Sequence, residues 1–210
     1  MLDGIYPILD VGPRLSPDRA PALLEDLIAG GATVVQLRAK ALPSGPLLAL
    51  AQALAARARE AGVELIINDR PDVALLAGAA GVHLGQSDLP APLVRRMLPR
   101  PAIVGVSCHS ITELVAAKAE AAADYFGFGP VYSTASKVDP EPVVGLENLA
   151  LAVKVAHPVP VVAIGGIDGE RLAEVRRTGA RAAAMISAIA SAPDPKAATA
   201  ALCLRWRESE

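Results

Sequence analysis

Residues 64–84 read ELIINDRPDVALLAGAAGVHL, and this stretch contains the pattern that recurs along the whole chain. Two short apolar runs, Glu64 to Ile67 and Gly81 to Leu84, flank an alanine- and leucine-rich segment that begins near Pro71. Parallel strands are apolar almost throughout when helices cover both faces of their sheet. The stretch therefore predicts a strand, a helix and a second strand parallel to the first.

The same alternation of short and long apolar segments occurs eight times. The predicted strands are Ile5 to Leu9, Thr33 to Leu37, Glu64 to Ile67, Gly81 to Leu84, Ala102 to Val106, Tyr125 to Phe128, Val159 to Ile164 and Ala182 to Ile186. The clearest predicted helices are Pro17 to Ala29 and Pro46 to Ala61, and the last two are Asp168 to Thr178 and Ser191 to Arg207. Eight such units favour an α/β fold of the (β/α)8 TIM-barrel type over a doubly wound open sheet. The alternation is nowhere interrupted by a linker, which predicts a single domain over residues 1–210.

Composition excludes several classes of protein. Of the 210 residues, 52% are apolar and 20% charged, with a net charge of −2, which is unlike a disordered chain. No apolar run reaches the roughly 18 residues of a membrane helix, and the start Met1-Leu2-Asp3-Gly4 lacks the basic residues of a signal peptide. Basic residues are dispersed and aromatics scarce, so no nucleic-acid partner is expected. We expect a cytoplasmic protein with small-molecule partners and no membrane partner, and the sequence is compatible with a homo-oligomer.

Polar residues follow nearly every predicted strand. In a TIM barrel the carboxyl ends of the strands open onto one mouth, where the chemistry takes place. The polar strand ends are Gln36 to Lys40, Asn68 to Arg70, Gly85 to Asp88, Ser107 to His109, Thr134 to Lys137, Gly165 to Gly166, and Ser187. We therefore expect these segments to surround one site.

Three cations and a glycine pair indicate phosphate binding. Arg38, Lys40 and Lys137 would face the mouth together, and guanidinium and ammonium groups both bind phosphate oxygens. The alternative is that they are solvated loop charges. The turn at Gly165-Gly166 lies where barrels commonly bind phosphate, and Ser187 would lie beside it. Two phosphate-sized sites are thus predicted on one mouth.

Two acidic residues indicate a metal site. Asp69 and Asp88 follow adjacent strands, so their carboxylates would approach each other, and Mg²⁺ is the ion that such a pair commonly binds. Local alternatives remain open for both residues. Asp69 would instead pair with Arg70 or cap the next helix, and Asp88 would cap the helix that begins near Pro90. His83 interrupts an apolar run and is interpreted as a hydrogen-bonded core histidine.

Several ordered blocks resemble one known family. The blocks are QLRAK, INDRPDVALLAGAAGVHLGQSDLP, GVSCHS, DYFGFGPVYSTASK, VVGLENL, PVVAIGGI and Ile186-Ser187-Ala188-Ile189. Together they resemble the thiamine-phosphate synthase (thiamine-phosphate pyrophosphorylase) family from Tyr6 to about Ile189. The resemblance implies a (β/α)8 barrel. It also implies transfer of a hydroxymethylpyrimidine group from its diphosphate to a thiazole phosphate, which gives thiamine phosphate and pyrophosphate.

The resemblance also implies roles for individual residues. Contacts to the pyrimidine diphosphate would come from Gln36, Arg38, Lys40, Asn68, Ser107 and Lys137, of which Arg38, Lys40, Ser107 and Lys137 would act in catalysis. The thiazole phosphate would be bound by Thr134, Ser136, Gly166, Ile186 and Ser187. The Mg²⁺ cofactor would be held by Asp69 and Asp88. The chain departs from the family pattern Pro-Thr-x-Thr-Lys at two positions. Ser136 keeps the hydroxyl, whereas Ser133 in place of proline puts the rigidity of that loop in doubt.

Three other functions compete with this one. A thiazole tautomerase of the same superfamily typically carries histidine where this chain has Pro130 and lacks the acidic pair. A non-catalytic barrel that binds thiamine precursors as a regulator would not need the cations and acids together. An unrelated phosphate-binding barrel of amino-acid biosynthesis would share only the glycine pair.

Overall fold

The strands of the protein close into a barrel. The computed structural model describes residues 2–134 and 141–209. The strands in these ranges are β1 (Gly4–Asp10), β2 (Val34–Arg38), β3 (Glu64–Asn68), β4 (Gly81–Leu84), β5 (Ile103–Cys108), β6 (Tyr125–Phe128), β7 (Val161–Ile164) and β8 (Ala182–Met185). Each strand pairs in parallel with the next, and β1 pairs with β8 so that Gly4 is the register partner of Ala182. This last pairing closes the sheet.

Helices surround the barrel on its outer side. They are α1 (Ala20–Ala29), α2 (Ser44–Glu60), α3 (Pro71–Ala77), α4 (Ala91–Met97), α5 (Ile111–Ala119), α6 (Gly145–Ala156), α7 (Leu172–Arg177), α8 (Ser187–Ala190) and α9 (Pro195–Glu208). A 3₁₀ turn at Pro17–Arg19 precedes α1. Over the described part of the chain, none of these helices is long and apolar enough to cross a membrane.

The (β/α)8 barrel expected from the sequence is confirmed, and the open sheet is excluded because β1 and β8 pair. The predicted strand ends lie within two residues of the observed ones. The helix predicted over Ser191 to Arg207 is confirmed as α9, which begins four residues later than predicted, and the short helix α8 before it was not predicted. Asp194 begins α9 by accepting a hydrogen bond from the Ala197 N–H at 2.9 Å, and Pro195 occupies its first turn.

Two apolar layers pack on the two faces of the strands. The larger layer lies between strands and helices, and the smaller one fills the barrel interior. Alternate side chains of each strand point to opposite faces of a closed sheet. The interior layer includes Tyr6, Ile8, Val34, Ile66, Tyr125, Val162, Ala182 and Ala184.

Gly105 makes room for an aromatic ring in this interior layer. It is the register partner of Tyr125, and a methyl group on Gly105 would lie 2.1 Å from the Tyr125 Cζ atom. We expect Gly105→Ala to lower the free energy of unfolding by about 1–3 kcal/mol, because the buried ring would have to shift. The measurement is urea denaturation followed by circular dichroism.

Gly45→Ala is the matched control for this substitution. Gly45 lies in α2 with no atom near the position of an added methyl group. Alanine at such a helical position should raise the free energy of unfolding by about 0.5–1 kcal/mol. Two variants of equal stability would show that Gly105 is not required for packing.

Candidate active site

Two adjoining cavities open at the carboxyl ends of the strands. The first has a volume of about 100 Å³ and the second a volume of about 520 Å³. Both are lined by Ser107, Gly127, Ile164, Ala184 and Ile186, so the cavities meet at these residues. The mouth of the barrel therefore holds one site with two compartments.

Cations and carboxylates lie beside each other at the first cavity. The Arg38 guanidinium donates from Nη1 to Oδ1 of Asp10, which is its register partner on β1. The Lys40 Nζ lies 3.2 Å from the Asp69 Oδ2. The side chain of Lys40 is 60% exposed, whereas that of Arg38 is only 21% exposed. Arg38 is thus fixed in the wall, and Lys40 reaches toward the solvent side of the same cavity.

The carboxylates of Asp69 and Asp88 come close enough to interact. Burial raises the pKa of the Asp88 carboxyl above its ordinary value, and the neighbouring Asp69 carboxylate raises this pKa further. The Gly85 N–H, which donates to the Asp88 Oδ2 at 2.6 Å, and the Lys40 ammonium lower it in part. Two carboxylates in this arrangement repel each other unless a proton or a cation lies between them.

The structure contradicts the local alternatives for both acids. Helix α4 begins after Pro90 without a side-chain cap, so Asp88 is not its cap. Helix α3 likewise has no side-chain cap, and Arg70 binds the Asp72 carboxylate rather than Asp69. Asp69 has φ +63°, a left-handed conformation that is strained for a residue with a side chain and that occurs preferentially at functional sites.

The other residues assigned to the first cavity from the sequence line it as well. Gln36, Asn68 and Ser107 all contribute to its wall. The Gln36 Nε2 donates to the Tyr6 Oη at 3.2 Å, and the Ser107 Oγ lies 2.8 Å from the His83 Nε2. The interpretation of His83 as a hydrogen-bonded histidine is confirmed, but its placement in the core is wrong because the ring lines the cavity and is only half-buried.

Sequence reasoning missed three polar residues at this site: Asp10, which binds Arg38, and Tyr6 and Tyr125. Asp10 ends β1 in the same way that other polar residues end their strands, so its position was a usable signal. Tyr6 and Tyr125 line the cavity from the barrel interior. Each lies within an apolar run, where only the hydroxyl distinguishes it from a residue of the core.

The second cavity is lined by Thr134, Gly166, Ile186 and Ser187, four of the five residues assigned to it from the sequence. Gly165 and Gly166 have φ +100° and +64°, values that favour glycine. A methyl group on Gly166 would also lie 2.4 Å from the Ser133 carbonyl oxygen. Glycine is therefore required here both by the backbone and by the close approach of the segment that follows β6. Ser136 and Lys137 lie outside the described residues.

The acidic pair fits a magnesium ion by its donor chemistry. Mg²⁺ binds hard oxygen ligands and is usually held by one or two carboxylates, waters and substrate phosphates. Within residues 2–134 and 141–209, no group of three or more His, Cys, Asp or Glu side chains gathers to form an all-protein metal cage. The mutual repulsion of Asp69 and Asp88 is the feature that a divalent cation would relieve.

The fold and the site together define the class of protein. A closed parallel barrel with cations, an acidic pair and a glycine turn at its carboxyl end is a TIM-barrel enzyme suited to phosphate-bearing ligands. The family model described as thiamine monophosphate synthase matches residues 5–189. The chain belongs to this family.

Individual relatives are similar over most of their length. The chain is 45% identical to a thiamine-phosphate synthase of Roseiflexus sp. (strain RS-1) over 201 residues, which cover 94% of the chain and 83% of the relative. It is 46% identical to a thiamine-phosphate synthase of Methanocella arvoryzae over 178 residues, covering 85% and 83%. The solved structure of a thiamine phosphate pyrophosphorylase from Pyrococcus furiosus superposes with a TM-score of 0.86 at 34% identity, covering 98% of this chain and 96% of that one.

Proposed function

We propose that the chain is a thiamine-phosphate synthase. It joins 4-amino-2-methyl-5-(diphosphooxymethyl)pyrimidine to 4-methyl-5-(2-phosphooxyethyl)thiazole and releases thiamine phosphate and pyrophosphate. The observation that carries this proposal is the pair of cavities that meet at Ser107 and Gly127. Two phosphate-bearing substrates must bring their reacting atoms together, and a two-compartment mouth supports that geometry. A cytoplasmic location agrees with such substrates.

The first cavity would take the pyrimidine diphosphate. The residues in this role are Gln36, Arg38, Lys40, Asn68, Ser107 and Lys137. Arg38 supplies a planar fork of donors for phosphate oxygens, and Lys40 supplies a point charge on the solvent side. Gln36 is buried, with only 4% of its surface exposed, and suits the ring rather than the diphosphate.

The second cavity would take the thiazole phosphate. The residues in this role are Thr134, Ser136, Gly166, Ile186 and Ser187. Backbone N–H groups at a glycine turn and hydroxyls beside it are donors that bind a phosphate without additional charge. This division assigns Arg38 and Lys40 to the compartment where a pyrophosphate must leave, whereas Arg14 and Arg171 line the second cavity.

Asp69 and Asp88 would hold the Mg²⁺ ion at the edge of the first cavity. When bound, the ion would neutralise part of the diphosphate charge and favour its departure. Lys40 already contacts Asp69, so its ammonium lies where it can bridge the acidic pair and a phosphate oxygen.

The chain's own residues supply electrostatic stabilisation for the reaction. The C–O bond between the pyrimidine methylene and the diphosphate breaks, and its electron pair leaves with pyrophosphate. Arg38, Lys40 and Ser107 donate to the oxygens on which negative charge accumulates. The thiazole nitrogen then attacks the methylene carbon, and it carries no proton, so no general base is required.

Two other functions predict different behaviour of the same site. A thiazole tautomerase would act on the thiazole compound alone, although Pro130 occupies the position where that branch typically has histidine. A regulatory barrel would bind the substrates without turnover. The acidic pair and the cations beside it favour the synthase over both.

The purified chain should form thiamine phosphate when it is incubated with both substrates and Mg²⁺. Product is measured by oxidation to a fluorescent thiochrome and chromatography, and EDTA should abolish its formation. Tautomer conversion of the thiazole without coupling would support the tautomerase instead. Calorimetric binding of both substrates without any product would support the regulator.

A further inference from the structure

A continuous chain of hydrogen bonds crosses the barrel interior between two residues of the first cavity. It runs from the Gln36 Nε2 to the Tyr6 Oη at 3.2 Å, and from there to the Tyr125 Oη at 2.9 Å. It continues from the Tyr125 Oη to the His83 Nδ1 at 2.8 Å, and from the His83 Nε2 to the Ser107 Oγ at 2.8 Å. Each of the five side chains comes from a different strand.

The donors and acceptors available on these five side chains fix the direction of the hydrogen-bond series. The Gln36 amide nitrogen can only donate, so the Tyr6 oxygen accepts, and the Tyr6 hydroxyl hydrogen is left for the Tyr125 oxygen. The Tyr125 hydroxyl then donates to the His83 Nδ1. A neutral imidazole that accepts at Nδ1 carries its hydrogen at Nε2. That hydrogen is donated to the Ser107 oxygen, and the Ser107 hydroxyl hydrogen remains for a further acceptor.

The opposite direction would leave a buried hydrogen without an acceptor. If Ser107 donated to His83 and each group donated onward, the Tyr6 hydroxyl would face the Gln36 amide nitrogen, which cannot accept. Tyr6 is 1% exposed, and its hydrogen-bond partners in the described part of the chain are Gln36 and Tyr125. An unpaired buried hydroxyl costs about 1–3 kcal/mol, so the first direction is favoured.

Burial and packing of the neighbouring groups keep this series of hydrogen bonds in place. Burial raises the pKa of Tyr6 to about 12 and that of Tyr125 well above its ordinary value, so both phenols keep their hydrogens. The rings of His83 and Tyr125 stack with centroids 5.4 Å apart. A methyl group on Gly127 would lie 3.1 Å from the His83 Cε1, and Gly105 makes the matching space for Tyr125.

We propose that this series of hydrogen bonds is a directional relay. It orients the Ser107 hydroxyl so that it donates to an anionic oxygen in the first cavity. His83, Tyr125 and Tyr6 are then positioning residues, which act on the ligand through Ser107. The identity of that oxygen, as part of the pyrimidine diphosphate, rests on the proposed function. A donor that is already oriented does not have to reorganise when charge develops on the leaving group, and this is the condition for effective electrostatic stabilisation.

Nitrogen NMR of the ligand-free protein tests the relay without any reaction. The protein contains three histidines. The His83 ring signals are identified as those that are absent from the spectrum of His83→Gln. We expect the ¹⁵N shifts of His83 to show a hydrogen on Nε2 and none on Nδ1. Tyr125→Phe should change this pattern, because it removes the group that donates to Nδ1. A hydrogen on Nδ1 in the wild type would overturn the proposal.

Kinetics then test the consequence for Ser107. Tyr125→Phe should lower kcat about tenfold and leave the KM for the thiazole phosphate unchanged. It should have no further effect in a Ser107→Ala background, because both changes remove the same oriented donor. Tyr132→Phe loses an exposed phenol hydroxyl and is the matched control, expected within about twofold of wild type. Additive effects of Tyr125→Phe and Ser107→Ala would contradict the relay.

Two substitutions of His83 separate a donor role from simple packing. In His83→Gln the amide nitrogen lies near the position of the imidazole Nε2 and still donates to Ser107, so kcat should stay within about threefold of wild type. In His83→Asn the side chain is too short to reach Ser107, and kcat should fall about tenfold or more. Equal losses in both variants would indicate packing alone. A wild type without activity would refute the proposed function, and the NMR result would still decide the relay.

Discussion

Asp88→Asn should lower the rate of thiamine phosphate formation about a hundredfold at limiting Mg²⁺ without lowering the melting temperature of the metal-free protein. The Asn oxygen can still accept from the Gly85 N–H, so the local turn is kept. The substitution removes a carboxylate whose pKa is raised by burial and by the neighbouring Asp69, and the ionised form of such a group destabilises the native state. The rate should fall because the substitution removes one of the two carboxylates proposed to bind Mg²⁺.

Thermal denaturation with and without Mg²⁺ gives a second measurement for this variant. An ion that binds only the native state raises the melting temperature, and the increase is larger the higher the ion's affinity. Mg²⁺ should therefore stabilise the wild type and have a much smaller effect on Asp88→Asn. Wild-type activity with wild-type Mg²⁺ dependence in the variant would refute the ligand assignment.

Asp124→Asn is the matched control at the opposite end of the barrel. Asp124 precedes β6, binds the guanidinium groups of Arg95 and Arg100, and accepts from the Val104 N–H at 2.8 Å. The amino end of a TIM barrel contributes to stability rather than to chemistry. This variant should lose about 1–3 kcal/mol of unfolding free energy and keep its activity within about twofold. The two Asp→Asn changes thus have opposite expected effects on stability and on rate.

The sequence predicted many of the polar residues at the mouth because strand ends can be recognised from local patterns. An apolar run that stops at Gln36, Asn68 or Ser107 marks the carboxyl end of a strand, and every such end faces one mouth in a barrel. The contacts among these side chains were not predictable in the same way. The Arg38–Asp10 pair depends on the register between β1 and β2, and local patterns do not specify that register.

Asp88 and Tyr125 illustrate what local sequence leaves undecided. An aspartate two residues before a proline is equally typical of a helix cap and of a metal ligand, and the structure excludes the cap because Asp88 accepts from the Gly85 N–H instead. From the sequence pattern, Tyr125 is indistinguishable from the other apolar residues of its strand. Its hydroxyl meets that of Tyr6, 119 residues away, only after the sheet has closed. Long-range closure, rather than propensity, determines which polar atoms become neighbours.

Arg38→Ala should lower kcat/KM for the pyrimidine diphosphate about a hundredfold or more, since an oriented donor to a developing anion commonly contributes that much. Arg57→Ala is the matched control. Arg57 forms an exposed ion pair with Glu25 between α1 and α2, and such pairs contribute little to stability. Its kinetics should match the wild type within about twofold. Steady-state assays with the thiazole phosphate saturating measure both variants.

Arg38→Lys decides whether charge or geometry accounts for this loss. The guanidinium can donate to Asp10 through Nη1 and still present its other N–H groups to a phosphate, whereas a lysine ammonium that pairs with Asp10 is a point charge without that planar fork. We therefore expect Arg38→Lys to recover only part of the activity, about tenfold below wild type. Full activity in Arg38→Lys would mean that positive charge alone is needed in this wall of the cavity. The contact with Asp10 would then serve the packing of β1 against β2 and not the orientation of a donor.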